Sequence, residues 1–123
     1  MKTKTMHVGI MSKSDYRKRT IAIAKGEYIP KKNEPKVWFE SLKSMAQVLS
    51  SENRELLKII LEKKPKSITE LETYTGRKKS NLSRTLKTLE RYGIVELEKE
   101  KNNIVPKVQA TDFKVEFGIG SAA

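Results

Sequence analysis

Residues 67–93, SITELETYTGRKKSNLSRTLKTLERYG, constrain the fold more than any other stretch. Ser67 and Glu70 have the spacing of a capping box and open a short helix that Gly76 closes. Three residues after that glycine, the spacing predicts a second and longer helix that runs to Tyr92 and stops at Gly93. At 100° per residue, Leu82, Leu86 and Leu89 fall on one face of it, which anchors it to neighbouring helices. A capped short helix, a glycine-containing turn and a longer helix make a helix-turn-helix. The segments IVELEKE and NIVPKVQ follow, strand-like on either side of KNN, and a hairpin in that position makes the unit a winged helix.

Upstream, SLKSMAQVL places Leu42, Met45 and Leu49 at helical spacing, and Ser50 or Ser51 caps a further helix with Leu57, Ile60 and Leu61 as its buried stripe. VWFE before it is a short extended piece, with Trp38 and Phe39 expected in the core. At the start, MHVGIM reads as a strand, and a helix follows over 12–25, with Ser12 and Asp15 as a capping box and Gly26 as its stop. Two prolines and Asn33 make residues 27–36 a linker. DFKVEFGI alternates Phe113, Val115, Phe117 and Ile119 as a final strand. The expected fold class is α+β: a winged helix-turn-helix, mainly helical with a hairpin wing, plus an N-terminal strand-helix extension and a C-terminal strand. Its expected segments are 1–36, 37–110 and 111–123.

Charge indicates what the unit meets. The chain carries +11 overall, and the excess sits in two blocks: residues 1–40 have ten basic and four acidic side chains, and residues 76–93 have six and one. Residues 41–75 and 94–123 are near neutral, so a polyanion is the expected partner rather than a uniformly solvated surface. On the long helix the face opposite the leucines holds Ser80, Arg84, Lys87 and Arg91, with Ser83 on the flank and Asn81 near the start. Only Glu90 interrupts these donors, whereas a merely wet helix face mixes signs in i, i+4 pairs. In this motif the N-terminal part of the second helix enters the major groove, where Arg reads guanine and Asn reads adenine. Arg77, Lys78 and Lys79 lie beside the helix N-terminus, whose dipole and free amides favour phosphate. In the wing, Lys99, Lys101, Asn102 and Asn103 are auxiliary, because Glu96, Glu98 and Glu100 offset them.

Other classes find little support. Without cysteine, neither disulfides nor thiolate chemistry enter, and His7 cannot by itself build a metal site or a catalytic dyad. No nucleophile-base pair, metal cluster or phosphate loop is visible, so an enzyme is the least favoured class and no cofactor is expected. The first residues lack an apolar signal core and no segment reaches bilayer length, so a soluble cytoplasmic protein is expected.

The stretch from Leu49 to Leu97 resembles the MarR/ArsR-like winged-helix regulators, in which a T-G turn precedes S-x-x-S-R-x-L-x-x-L-x-x-x-G-[LI]-V. Thr75, Gly76, Ser80, Ser83, Arg84, Leu86, Leu89, Gly93, Ile94 and Val95 occupy that pattern. With its flanks, the chain resembles prokaryotic DNA-binding antitoxins that are paired with TumE-type toxins. The resemblance implies an autorepressor, a homodimer on its own promoter, that also neutralises a toxin protein. The terminal strands need partners, since a lone strand leaves its backbone groups unpaired. The helix at 12–25 and these strands, with Val8, Ile10, Tyr16, Arg17, Arg19, Phe113, Val115 and Phe117, are therefore expected to form a surface for a second protomer, the toxin, or both. Alternatively, a terminal strand only seals the core. The rival function is a winged helix used for RNA binding or protein docking, with no operator.

Overall fold

Serine opens four of the helices in the computed structural model, which describes residues 4–119. The outermost residues of the expected segments 1–36 and 111–123 lie outside the described residues. The order is β1 (Thr5–Ile10), α1 (Lys13–Ala24), β2 (Val37–Phe39), α2 (Leu42–Val48), α3 (Ser51–Lys63), α4 (Ile68–Thr75), α5 (Lys79–Arg91), β3 (Val95–Glu100), β4 (Asn103–Val108) and β5 (Asp112–Glu116). The fold is α+β, as expected. The side-chain oxygens of Ser12, Ser41, Ser50 and Ser67 each accept from the amide three residues on, satisfying donors that the helix leaves free.

β3 and β4 form an antiparallel hairpin around Lys101 and Asn102. The other sheet is parallel, in the order β2-β1-β5, with Val8 opposite both Val37 and Val115. Each of the three expected segments contributes one strand to it, so the boundaries near residues 36 and 110 do not separate folding units. The terminal strands do pair with one another, within the protomer. β5 stops at Glu116, short of the expected Ile119.

One core joins this sheet to the helices. Val8, Phe39, Leu56, Leu57, Ile60, Leu71, Leu82, Leu86, Leu89, Ile94 and Val95 belong to it. The Phe39 ring stacks on Tyr92 at 4.5 Å between centroids, which ties β2 to the end of α5. Gly9 is required by a close approach: a Cβ there would lie 2.5 Å from Trp38 Cζ3 and 2.8 Å from Pro35 Cγ.

The stripe expected on α3 is corrected. On α3 the buried residues are Leu56, Leu57 and Ile60, with Leu61 half-buried. α1 is a helix but buries no residue, because its apolar side chains scatter around the axis instead of lining one face. Its main attachment is Arg19, whose guanidinium lies over the rings of Trp38 at 5.3 Å and Tyr28 at 5.7 Å and pairs with Glu34 at 3.6 Å. Residues 27–36 have no regular structure, as expected, yet this cluster gives them an internal role. The Tyr28 hydroxyl donates to the Glu34 carboxylate. That bond leads the causes holding the Glu34 carboxyl below its ordinary range and raising the Tyr28 hydroxyl.

Candidate nucleic-acid interface

α5 is fixed from one side and open on the other. Leu82, Leu86 and Leu89 are buried at its base, while Ser80, Asn81, Arg84, Lys87 and Arg91 are exposed and Ser83 is half-buried. α4 leads into it through Gly76, whose positive φ of 72° turns the chain after one short helix. Thr75 shapes that turn: its hydroxyl donates to the Leu71 carbonyl and accepts from the Arg77 amide.

The charge on this face is uncompensated. Among the described residues the ion pairs within 4 Å are Lys13–Glu40 and Arg19–Glu34, and the His7 ring is hydrogen-bonded to Glu116 at 3.1 Å. Lys78, Lys79, Arg84, Lys87 and Arg91 take part in none of them. Each is exposed, so each can meet a phosphate or a base edge without first breaking an internal contact.

Two features at the helix start depart from the expectation. Arg77 is not a free cation: its Nε donates to Asn81 Oδ1 at 2.8 Å and its Nη2 to Thr85 Oγ1 at 3.1 Å. Its Nη1 is buried without a partner. Arg77 thus lies along the first two turns of α5, and it commits one acceptor site of Asn81. One acceptor site of that oxygen and the amide nitrogen remain for a base edge, so the bond orients Asn81 rather than freeing it. Secondly, Lys78 supplies no side-chain cap, and Glu72 from α4 accepts from the Lys79 amide at 3.2 Å. A carboxylate therefore already occupies part of the helix N-terminus that was expected to receive phosphate. Sequence spacing held a trace of the first feature, since residues 77, 81 and 85 repeat at i, i+4 and i+8. The second is a contact between helices that spacing does not encode.

At the other end of α5 the two basic blocks meet. Arg91 and Tyr92 face Lys13, Tyr16, Arg17, Lys36, Trp38 and Glu40, which pairs with Lys13 at 3.4 Å, across an open cleft of about 770 Å³ between α1, β2 and α5. The cation row on α5 thus continues onto α1. In the β3–β4 hairpin, Lys99, Lys101, Asn102 and Asn103 are exposed around the turn, with Lys101 at a φ of 56°.

The residues expected to form a partner surface separate into three groups. Val8 is fully buried in the central strand and cannot contact a partner, a correction that follows from β1 having neighbours on both edges. Ile10 and Phe113 are half-buried against the core, and Arg19 is held by Glu34, Tyr28 and Trp38, so these three mainly serve the fold. Tyr16, Arg17, Val115 and Phe117 are exposed.

Among the described residues no helix is long and apolar enough to cross a membrane. No curated protein and no solved structure matches this chain. One family model, described as HVO_A0114, matches residues 48–115, from the last residue of α2 through α5 and the hairpin into β5. Since that match spans more than half of the 123 residues, the chain belongs to the HVO_A0114 family.

Proposed function

We propose that this protein is a sequence-specific, double-stranded DNA-binding transcriptional regulator. In this proposal α4 and α5 act as a helix-turn-helix and the β3–β4 hairpin as its wing. The observation that carries it is the outward face of α5, where Ser80, Arg84, Lys87 and Arg91 are exposed and, among the described residues, the cations have no carboxylate within 4 Å, above a row of buried leucines. A helix so anchored can enter the major groove, with Arg84 donating to guanine and Lys78 and Lys79 neutralising phosphates beside it. The basic cleft at Arg91 would extend the electrostatic footprint toward α1.

Gel-shift titration of the DNA upstream of its own gene, against unrelated DNA of equal length, tests this. Specific binding is expected, and Arg84→Ala is expected to cost about 1–3 kcal/mol on the specific site alone, with circular dichroism unchanged. Equal, salt-sensitive affinity for every sequence would overturn it in favour of RNA binding or protein docking. The proposal extends to an autorepressor that acts as the antitoxin of a TumE-type toxin. Co-expression with the product of the adjacent gene tests that extension: growth rescue supports it, and a harmless neighbour leaves a lone repressor.

A further inference from the structure

Among the described residues β5 is an edge strand. β1 pairs with one side of it, and four of its five residues, Asp112, Lys114, Val115 and Glu116, are exposed. The opposite edge of the sheet is only the three-residue β2, which follows the buried Pro35. An uncovered edge offers a row of unpaired amides and carbonyls to another strand. The apolar row on β5 also outruns the core: Phe113 is half-buried, Val115 is 43% exposed, and Phe117 just beyond the strand is 55% exposed.

The sequence of this edge is complementary to itself. Phe113-Lys114-Val115-Glu116-Phe117 reads apolar, basic, apolar, acidic, apolar. Laid antiparallel on a second copy about Val115, it sets each Lys114 opposite a Glu116, each Phe113 opposite a Phe117, and Val115 opposite itself. Opposite charges and paired aromatics are the cross-strand neighbours that stabilise an antiparallel pair. Centring the pair on Lys114 instead would oppose lysine to lysine, and Asp112 to Glu116 twice. Such a contact is isologous, so it closes as a dimer and leaves no further edge at that site.

We propose that two copies of this chain dimerise through β5, antiparallel and centred on Val115, joining two three-stranded sheets into one of six strands. The Phe113, Val115 and Phe117 rows of both copies then lie on one face and cover each other. This stands independently of what α5 binds.

Sedimentation of the purified full chain over a concentration series tests it, with circular dichroism as the fold control. The wild-type chain should dimerise. Lys114→Glu and Glu116→Lys should each weaken the dimer about tenfold, because each turns two opposite-charge pairs into two like-charge pairs. The double exchange K114E/E116K should restore most of the affinity. The chain has no cysteine, so V115C reports the register directly. Its two sulfurs would sit on residues about 4.5–5.5 Å apart at Cα and should join on mild oxidation. The thiols of D112C, on residues about 20 Å apart, should not. A wild-type monomer throughout the series, a folded double exchange as weak as its parents, or cross-linking of the D112C variant in preference to the V115C variant would each overturn the proposal.

Discussion

Arg77 is the residue whose role changes most between sequence and structure, and Arg77→Met separates the two. As a phosphate contact, Arg77 would release about one counterion on binding, and its loss would lower the salt slope by about 0.9. In the structure its guanidinium instead makes two hydrogen bonds along α5, at 2.8 Å and 3.1 Å, and leaves Nη1 buried and unpaired. Each bond from a charged donor is worth about 1.5–3 kcal/mol, and the orphaned nitrogen costs about 1–3 kcal/mol. Methionine keeps the apolar stem and removes both terms, so the expected net loss of stability is their difference, roughly 0–5 kcal/mol, no more than the low end of a typical domain's stability. Asn81 would lose its clamp, and specific DNA affinity should fall by about tenfold or less through lost ordering of that side chain. The slope of log affinity against log salt, from fluorescence anisotropy titrations, should equal that of the wild type within error, whereas Lys78→Ala should lower it by about 0.9. A slope reduced by about one in Arg77→Met would show that Arg77 reaches phosphate, and would refute the clamp.

Gly9→Ala should destabilise the chain by about 1–3 kcal/mol, because a Cβ would meet the Trp38 ring at 2.5 Å and the rigid Pro35 at 2.8 Å; thermal melts followed by Trp38 fluorescence check this, and an unchanged melt would show that β1 and β2 part easily. Glu34→Gln tests the Arg19–Glu34–Tyr28 cluster: the Glu34 carboxyl is held below its ordinary value of 4.5, so its contribution is present above that value and is lost as pH falls through the lower folded one. The melting temperatures of wild type and Glu34→Gln should therefore differ at pH 7 and converge in acid, as pH falls through the lowered folded value; a difference independent of pH would remove the carboxylate's charge from the account.

What the sequence made legible follows from how local each signal is. α5 could be placed to within a residue because Leu82, Leu86, Leu89 and Gly93 each carry a local rule, and the exposure of Ser80, Arg84 and Lys87 follows from the leucines by rotation alone. The terminal strands were recognisable by alternation, but alternation names neither the partner nor its direction. The burial of Val8 therefore could not be read, since it depends on β2 and β5 flanking β1 together. For α1, the capping serine and terminal glycine marked a helix correctly, yet caps say nothing of which face packs. The Glu72 contact to the Lys79 amide was illegible for a related reason: it depends on the angle between α4 and α5, which only the shared core sets.

The family match begins at residue 48, after β1, α1 and β2, yet α5 depends on those elements. Tyr92, the residue that ends α5, stacks on Phe39 of β2, and Arg91 faces α1 across the basic cleft. β5 lies mostly inside the match, but its neighbour in the sheet is β1, outside it. Residues 4–47 are thus built into the unit: they complete its core, lengthen its cationic face and hold β5 in place as an edge. The Ile94 carbonyl accepts from the Gln109 amide, and the Lys4 carbonyl accepts from the amides of Thr111 and Asp112. The short run from β4 to β5 is therefore pinned to the strand after α5 at one end and to the start of β1 at the other. A pairing made at the β5 edge would in consequence fix the disposition of two α5 helices through the shared core, which links the arrangement of the dimer to the symmetry of the DNA site it would read.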